Sequence, residues 1–268
     1  IWRDETLGAK YDDVEIPADL LEKAKEYRQH MIEAVSEFDD HLFAKFVEEQ
    51  PLTEEEIVAG LRKATIAQKI FPVICGSSFK NKGVQAMIDA VCEYLPSPLD
   101  VGGVKGVHPR SEEEEERFAD DKSPFAALAF KIMSDKYVGR LTFLRVYSGT
   151  LKKGSSVMVT YRDPQTNEFR SRNERIGRIL EMHANNRKDI DEIYAGEIVG
   201  VIGLNDVRTG YTICDDSHPI SLESIKFPEP VIQIAVEPKS RADQEKLGSS
   251  LQRLAEEGDF GETVRIHP

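Results

Sequence analysis

Phe71-Pro-Val-Ile-Cys-Gly-Ser-Ser-Phe-Lys-Asn-Lys-Gly-Val-Gln85 decides how the first part of this chain is read. An apolar run, Phe71 to Cys75, enters a small polar Gly76-Ser77-Ser78 loop. A helix is predicted to begin near Gly83, with Val84, Met87, Ile88, Val91 and Leu95 on one face. The order is strand, tight loop, helix. In open α/β sheets ligands bind beyond the carboxyl ends of the strands, where loop N–H groups and hydroxyls converge. On that reading Ser77 and Ser78 face a ligand; without its context the same stretch is an ordinary strand-to-helix loop.

The sequence upstream of this stretch reads as helical. Leu20, Ala24, Tyr27, Met31, Val35 and Phe38 recur at helical spacing after Pro17, which suits a first-turn position. Thr53 followed by Glu54-Glu55-Glu56 is a capping-box signature, with Ile57, Leu61 and Ala64 as the apolar face of the helix it opens. Downstream, Leu95-Pro-Ser-Pro-Leu99 stops the helix that follows the Gly-Ser-Ser loop. Residues 101–123 then read as a linker, with Gly102-Gly103 and five consecutive glutamates, Glu112 to Glu116, as a solvated acidic run or a contact for basic partners.

From Pro124 the period changes to two. Strands are predicted at Phe125–Met133, Leu141–Ser148, Ser156–Tyr161, Glu174–Met182 and Glu197–Gly203. Turn chemistry at Ser148-Gly149, Lys153-Gly154, Asp163-Pro164 and Ala195-Gly196 divides them. Short strands at this spacing indicate an antiparallel barrel over 124–230, closed by Pro228-Glu-Pro230. Val231–Val236 reads as a further strand, and Ser240 with Asp243 opens a helix carrying Leu247, Leu251 and Leu254. One strand and one helix do not bury a core, so residues 231–268 read as a truncated third domain or as an element packed on the barrel.

Composition narrows the function classes. The chain has 268 residues and a net charge of −13, room for two or three domains. The acidic excess is uneven: residues 1–123 carry 15 Lys+Arg against 27 Asp+Glu, a net of −12, whereas residues 124–230 carry 15 against 14, a net of +1. The first part should repel nucleic acid; the middle part can present a local basic face. No run is long and apolar enough to span a bilayer. Cys75, Cys92 and Cys214 lack metal-ligand spacing, and their odd number argues against a disulfide framework, so a reducing, cytoplasmic setting is expected.

Longer motifs carry a resemblance to a known family. They are Gly-Ser-Ser-Phe-Lys-Asn-Lys-Gly-Val-Gln (76–85), Tyr-Leu-Pro-Ser-Pro-Leu-Asp (94–100), Ala-Leu-Ala-Phe-Lys-Ile-Met (127–133), Tyr-Val-Gly-Arg-Leu-Thr-Phe (137–143), Arg-Val-Tyr-Ser-Gly-Thr-Leu (145–151), Met-His-Ala-Asn (182–185), Pro-Glu-Pro-Val-Ile (228–232) and Val-Glu-Pro-Lys-Ser-Arg-Ala-Asp-Gln-Glu-Lys-Leu (236–247). Together they resemble a central fragment of elongation factor G, the bacterial-type ribosomal translocase of the translational GTPases. The resemblance implies an α+β multidomain layout. A helical insertion covers about 1–70 within a GTPase domain that ends near residue 100. A β-barrel second domain and the start of a ferredoxin-like α/β third domain follow. It also implies a parent that hydrolyses GTP with Mg on the ribosome, a barrel that touches small-subunit rRNA, and an insertion associated with the ribosomal stalk protein.

Site residues follow from the same resemblance. The Ser77 hydroxyl is expected to brace the guanine loop, and the Ser78 N–H to donate to guanine O6, with Phe79 beside it. Ser78 stands where the family usually has Ala, a change that a backbone contact tolerates. A guanine loop holds no GTP without a cradle for its phosphates. Gly149-Thr-Leu-Lys-Lys-Gly154-Ser-Ser lacks a Lys after its second Gly and lies between two predicted strands. Asp100-Val-Gly-Gly103 lies in the linker, and Asn81-Lys-Gly-Val84 ends in a residue that accepts no N–H. His41, His108 and His183 lack the context of the family's catalytic His. The fragment is therefore expected to be inactive alone and to bind no cofactor or metal. Ribosome contact is what it can keep, and Arg162, Arg170, Arg172, Arg175 and Arg178, with Tyr161 and Phe169, gather around one predicted hairpin. The Tyr137-Val-Gly-Arg140 turn, which the family shares, is expected near the rRNA-facing or the GTPase-facing edge, and Arg140 is included with the rRNA contacts. Glu168, Asp163 and Glu174 dilute the patch, so a solvated hairpin fits the residues as well as an RNA contact does. A ribosome-recycling paralogue, a release-factor GTPase and a ribosomal protection protein share the guanine and barrel motifs. A free-standing RNA-binding barrel with an acidic arm is the reading from another class.

Overall fold

The computed structural model describes residues 1–2, 8, 10–135, 139–163, 166–184, 186–222 and 236–257. The chain divides into two compact units, 1–100 and 101–268. Among the described residues no helix is long and apolar enough to cross a membrane.

The first unit is helical: α1 is Leu21–Ser36, α2 Asp40–Val47, α3 Glu54–Ile66 and α4 Val84–Tyr94. Pro17 lies ahead of α1, its carbonyl accepting from the Leu20 N–H in a turn, rather than inside the helix. The single helix expected through Phe38 ends at Ser36, and the chain turns to begin α2. Asp39 causes the break: its carboxylate accepts from the N–H groups of His41 and Leu42, at 3.0 and 3.1 Å, satisfying two donors that a helix start leaves open. The capping box of α3 forms as expected, with the Glu56 N–H donating to Thr53 Oγ1 and the Thr53 N–H to Glu56 Oε2. Val35, Leu42, Ile57 and Ala64 make the small buried core of these helices.

Arg62 ties α3 to α4. Its guanidinium donates to the carbonyls of Cys92, Glu93 and Leu95 at 3.0–3.3 Å and pairs with Asp100 at 2.6 Å. Those carbonyls end α4, and a cation there offsets the negative end of the helix dipole. The strand expected over Phe71–Cys75 is absent: residues 71–76 carry no secondary structure. The run is uninterrupted apolar, the pattern of a strand buried on both faces of a parallel sheet, and no strand among the described residues pairs with it. Phe71 and Val73 are accordingly 79% and 89% exposed, and Met87, Ile88 and Val91 of α4, with Leu95 just after it, are exposed as well.

The second unit holds the predicted barrel and more strands than the sequence suggested. In chain order they are β1 (Val104–Val107), β2 (Glu114–Arg117), β3 (Ala126–Asp135), β4 (Gly139–Ser148), β5 (Leu151–Lys152), β6 (Ser156–Arg162), β7 (Phe169–Arg175), β8 (Arg178–His183), β9 (Asn186–Ile190), β10 (Glu192–Ile193), β11 (Ile198–Ile202), β12 (Thr212–Cys214) and β13 (Ser221–Leu222). Eight of them form one antiparallel sheet in the order β7-β6-β12-β3-β4-β11-β8-β9. It curls around one core that includes Ala127, Leu144, Val146, Val157, Val159, Ile179, Val201 and Ile213.

Two expectations need correction. The strand predicted over Glu174–Met182 is two strands, β7 and β8, separated at Ile176-Gly177. There the wholly buried Ile176 turns into the core, and the Gly177 N–H donates to the Ile202 carbonyl at 2.9 Å, moving the chain from its pairing with β6 to a pairing with β11. The stretch read as a linker, 101–123, carries the hairpin β1–β2, and β1 pairs with β13. A second apolar cluster, Ala126, Leu128, Cys214, Ile220 and Leu222 with Val104, Tyr147 and Met158, joins this small sheet to the outer face of the barrel. The glutamates at 112–116 lie on this hairpin. The helix opened by Ser240 and Asp243 is present as α5 (Arg241–Glu257), with Ser240 Oγ donating to Asp243 Oδ2 at 2.6 Å. Residues 231–235 of the strand predicted at Val231–Val236, Pro228–Pro230, and Tyr137-Val138 of the Tyr137–Arg140 turn lie outside the described residues.

Candidate functional site

The Gly-Ser-Ser loop is closed by its own backbone. The Ser77 N–H donates to the Lys82 carbonyl at 2.9 Å, and the Lys82 N–H returns to the Ser77 carbonyl at 3.0 Å. Between them Ser78–Lys80 form one 3₁₀ turn, with Lys80 and Asn81 donating to the carbonyls of Ser77 and Ser78. Asn81 and Gly83 take left-handed backbone angles, φ 51° and 79°, to bring the chain into α4. Expected roles are thereby redistributed. The Ser77 hydroxyl makes no hydrogen bond among the described residues; the bracing falls to the Ser77 backbone. The N–H groups of Ser78 and Phe79, first in the 3₁₀ turn, have no acceptor among the described residues. The Phe79 side chain is fully exposed.

The loop thus leaves two consecutive backbone donors open among the described residues. The Gly149–Ser156 stretch that imitates a phosphate loop is the connection from β4 through β5 to β6. Its Lys152 and Lys153 pair with Glu192 and Asp191. Asp100 of the Asp-x-x-Gly match is held by Ser97 and Arg62 at the end of α4. His108 Nδ1 accepts from the N–H groups of Arg110 and Ser111 and so fixes the β1–β2 turn. Among the described residues no group of three or more His, Cys, Asp or Glu could hold a metal ion. The three cysteines are free; burial pushes the Cys214 thiol up to about 11, which leaves it protonated and unreactive at neutral pH.

The arginines are brought together only in part. Arg162, Arg170, Arg172 and Arg175 lie on the β6–β7 hairpin; Arg178 is on β8 and Arg140 on β4. Cross-strand register sorts the hairpin residues by face, because directly paired residues point the same way. Arg170 opposes Tyr161 and Arg172 opposes Val159, on the face that carries the barrel core. Arg162 opposes Phe169 and Arg175 opposes Ser156, on the other face. The predicted single cluster is therefore two pairs, back to back.

Each of these arginines already has a partner. Arg162 lies over the Phe169 ring at 4.4 Å, donates to Asn167 Oδ1 at 3.2 Å and comes within 4.0 Å of Glu112. Arg170 pairs with Glu168 at 3.1 Å and approaches Asp163 at 4.0 Å. Arg172 donates to the Asp206 carbonyl, pairs with Glu174 at 3.3 Å and lies over the Tyr161 ring at 5.6 Å. Arg175 donates to the Gly154 carbonyl at 3.0 Å, and Arg140 to the Val207 carbonyl. Arg178 grips Asp189 with two bonds, 2.8 and 2.6 Å, and this holds the Asp189 carboxyl below the usual range. Exposed Arg–carboxylate pairs contribute only about 0–1 kcal/mol, so phosphates can displace such carboxylates. Sequence reasoning missed Tyr211, which stacks on Tyr161 at 4.2 Å with the rings 4° from parallel, and did not connect Glu112, in the β1–β2 turn, with Arg162. Alternation along β6 places Tyr161 inward; nothing local in the sequence assigns Tyr211 to it.

Comparison with known proteins adds identity to this geometry. Residues 124–216 match the family model described as elongation factor G domain 2, and residues 227–261 the one described as elongation factor G, domain III. The two matches indicate an elongation factor G-type fragment. The crystal structure of a Thermus thermophilus protein has a TM-score of 0.69 to this chain at 24% identity, a likeness of fold. The match covers 94% of this chain and 35% of the other, so the chain spans about a third of the length of that structure. The barrel, the hairpin of arginines and β12 lie inside the domain 2 match; the Gly-Ser-Ser loop lies upstream of both matches.

Proposed function

We propose that the chain is a central part of elongation factor G, a cytoplasmic protein that couples GTP hydrolysis to movement of tRNA and mRNA through the ribosome. These 268 residues would supply ribosome contacts rather than catalysis. The observation that carries the proposal is the barrel matched to domain 2, followed directly by the domain III match, in one chain. In this reading the β6–β7 hairpin meets small-subunit rRNA, exchanging its carboxylate partners for phosphates. The helical insertion meets the stalk protein. The Ser78 N–H reads guanine O6 in a parent whose remaining sequence supplies the phosphate loop, the Mg site and the strands that would cover Phe71–Cys75.

Small-subunit cosedimentation across a salt series tests the rRNA contact. Arg172→Glu combined with Arg175→Glu should weaken binding and flatten its salt dependence, by a slope of about one per lost phosphate contact. The two arginines point to opposite faces, so each single variant reports one face. Unchanged binding across the series would remove the hairpin from the contact surface. For the nucleotide, titration of the chain with a fluorescent guanine nucleotide and Mg should give no saturable binding. Saturable binding that GTP competes and ATP does not would mean that residues here hold the phosphates after all.

A further inference from the structure

The Gly-Ser-Ser loop carries a backbone bridge, Ser77 to Lys82, and a 3₁₀ turn. A second segment of the same unit rests on it. The backbone at residues 1–2 pairs with that at 11–12, through an antiparallel Trp2–Tyr11 bridge and the Asp12 N–H donating to the Ile1 carbonyl at 2.9 Å. The two rings lie 5.8 Å apart. From this paired segment Gly8, buried and at φ 79°, presses backbone to backbone on Asn81. A Cβ on Gly8 would lie 2.0 Å from the Asn81 carbonyl oxygen and 2.9 Å from the Asn81 Cβ, so no L side chain fits without moving the loop. Trp2 reaches the other side: its ring edge is 4.0 Å from where a Cβ on Gly83 would stand. The Trp2 Nε1 is buried with no acceptor among the described residues, so the indole is held there by packing.

We propose that Gly8 and Trp2 are positioning residues for the Gly-Ser-Ser loop. By clamping Asn81 and Gly83, the two left-handed residues that close it, they fix the outward aim of the Ser78 and Phe79 N–H groups. The proposal rests on the guanine-loop reading for its meaning and on Gly8 and Trp2 for its geometry. It links Trp2 and Gly8 to the Gly-Ser-Ser loop, so a displacement of these two residues would re-aim those two donors.

Backbone amide exchange, read by NMR on the full 268-residue chain, tests it. Gly8→Ala should speed exchange at the Ser77 and Lys82 N–H groups about tenfold or more, the scale expected when a left-handed position receives a side chain. The amides of α3 should keep their protection. Trp2, the chain's single tryptophan, should shift its emission to the red. Gly102→Ala is the control, because Gly102 is also left-handed at φ 77° but has nothing within 4 Å among the described residues; it should leave the loop amides unchanged. If Gly8→Ala also strips the α3 amides of protection, Trp2→Phe decides: it keeps the bridge, loses the outer ring, and should still speed exchange at Lys82. Loop amides that stay as protected as before in Gly8→Ala, or in Trp2→Phe where that variant decides, overturn the proposal. No nucleotide is present, so failure of the guanine reading would leave these rates as they are.

Discussion

The 71–95 stretch is richer in apolar residues than the barrel, yet only the barrel hides them. Leu144, Val146, Ile179 and Ile213 are wholly buried, whereas Phe71, Val73, Phe79 and the outer face of α4 are open. The difference lies in how each encodes its neighbours. An antiparallel strand joined by tight turns finds its partner a few residues away, and alternation of side chains sets which face goes inward. A parallel strand is specified only as a continuous apolar run, and its partners are remote in sequence. Among the described residues no strand pairs with the 71–75 run, and Phe71, Val73 and Ile74 are exposed. Truncation inside the barrel should therefore be costly and truncation in the run nearly free. Leu144→Ala should lower the stability of the barrel by about 2–5 kcal/mol. Val73→Ala should change the first unit by less than about 0.5 kcal/mol. Denaturant unfolding followed separately in the two units checks both. A large loss from Val73→Ala would mean that the run is covered in solution, and the contrast between the regions would collapse.

A second test asks what holds α4 when its apolar face does not. Arg62 does, through three carbonyls and Asp100. Arg62→Ala should cost the first unit about 1–3 kcal/mol, the range for bonds to a charged group, and leave barrel unfolding unchanged. Arg62→Lys should recover little, since a single ammonium cannot span the same set of acceptors. Equal stability in Arg62→Ala would return the attachment of α4 to apolar contact.

The legibility of the sequence divides along the same line. The capping box at Thr53, the α5 start at Ser240 and the long strands β3, β4, β6 and β11 were readable because each is written in consecutive residues. What escaped notice depends on distant partners. The strands β1 and β13 exist because 104–107 and 221–222 meet across the barrel's outer face, and a run of glutamates gives no hint of that pairing. The break at Ile176 escaped because a strand that changes partners keeps its alternating pattern until the corner. Among the site residues, placement of Ser77, Ser78 and Phe79 on a tight loop before a helix was legible. The division of the arginines into two faces was not, since it follows from the register of β6 against β7.

The smallest effect concerns the turn that cut the first helix short. Asp39 caps α2 and accepts from Lys63 at 2.7 Å; the Lys63 hydrogen bond, then the Leu42 N–H, hold its carboxyl below the ordinary value. A depressed carboxylate contributes stability that is present above its unfolded value, about 3.9, and is lost as pH falls through the lower folded value. Lys63 is 60% exposed, so solvent screens the pair and little of the shift converts to stability. Asp39→Asn keeps an oxygen for the cap and removes the charge, and should cost the first unit about 0.3–1 kcal/mol at neutral pH. The difference from the native chain should shrink between about pH 4 and the folded value, where Asp39 takes up its proton, and vanish below it. A difference that persisted in acid would place the contribution of Asp39 in the geometry of its cap rather than in its charge. The boundary between α1 and α2 would then be set by shape alone, like the corners of the barrel.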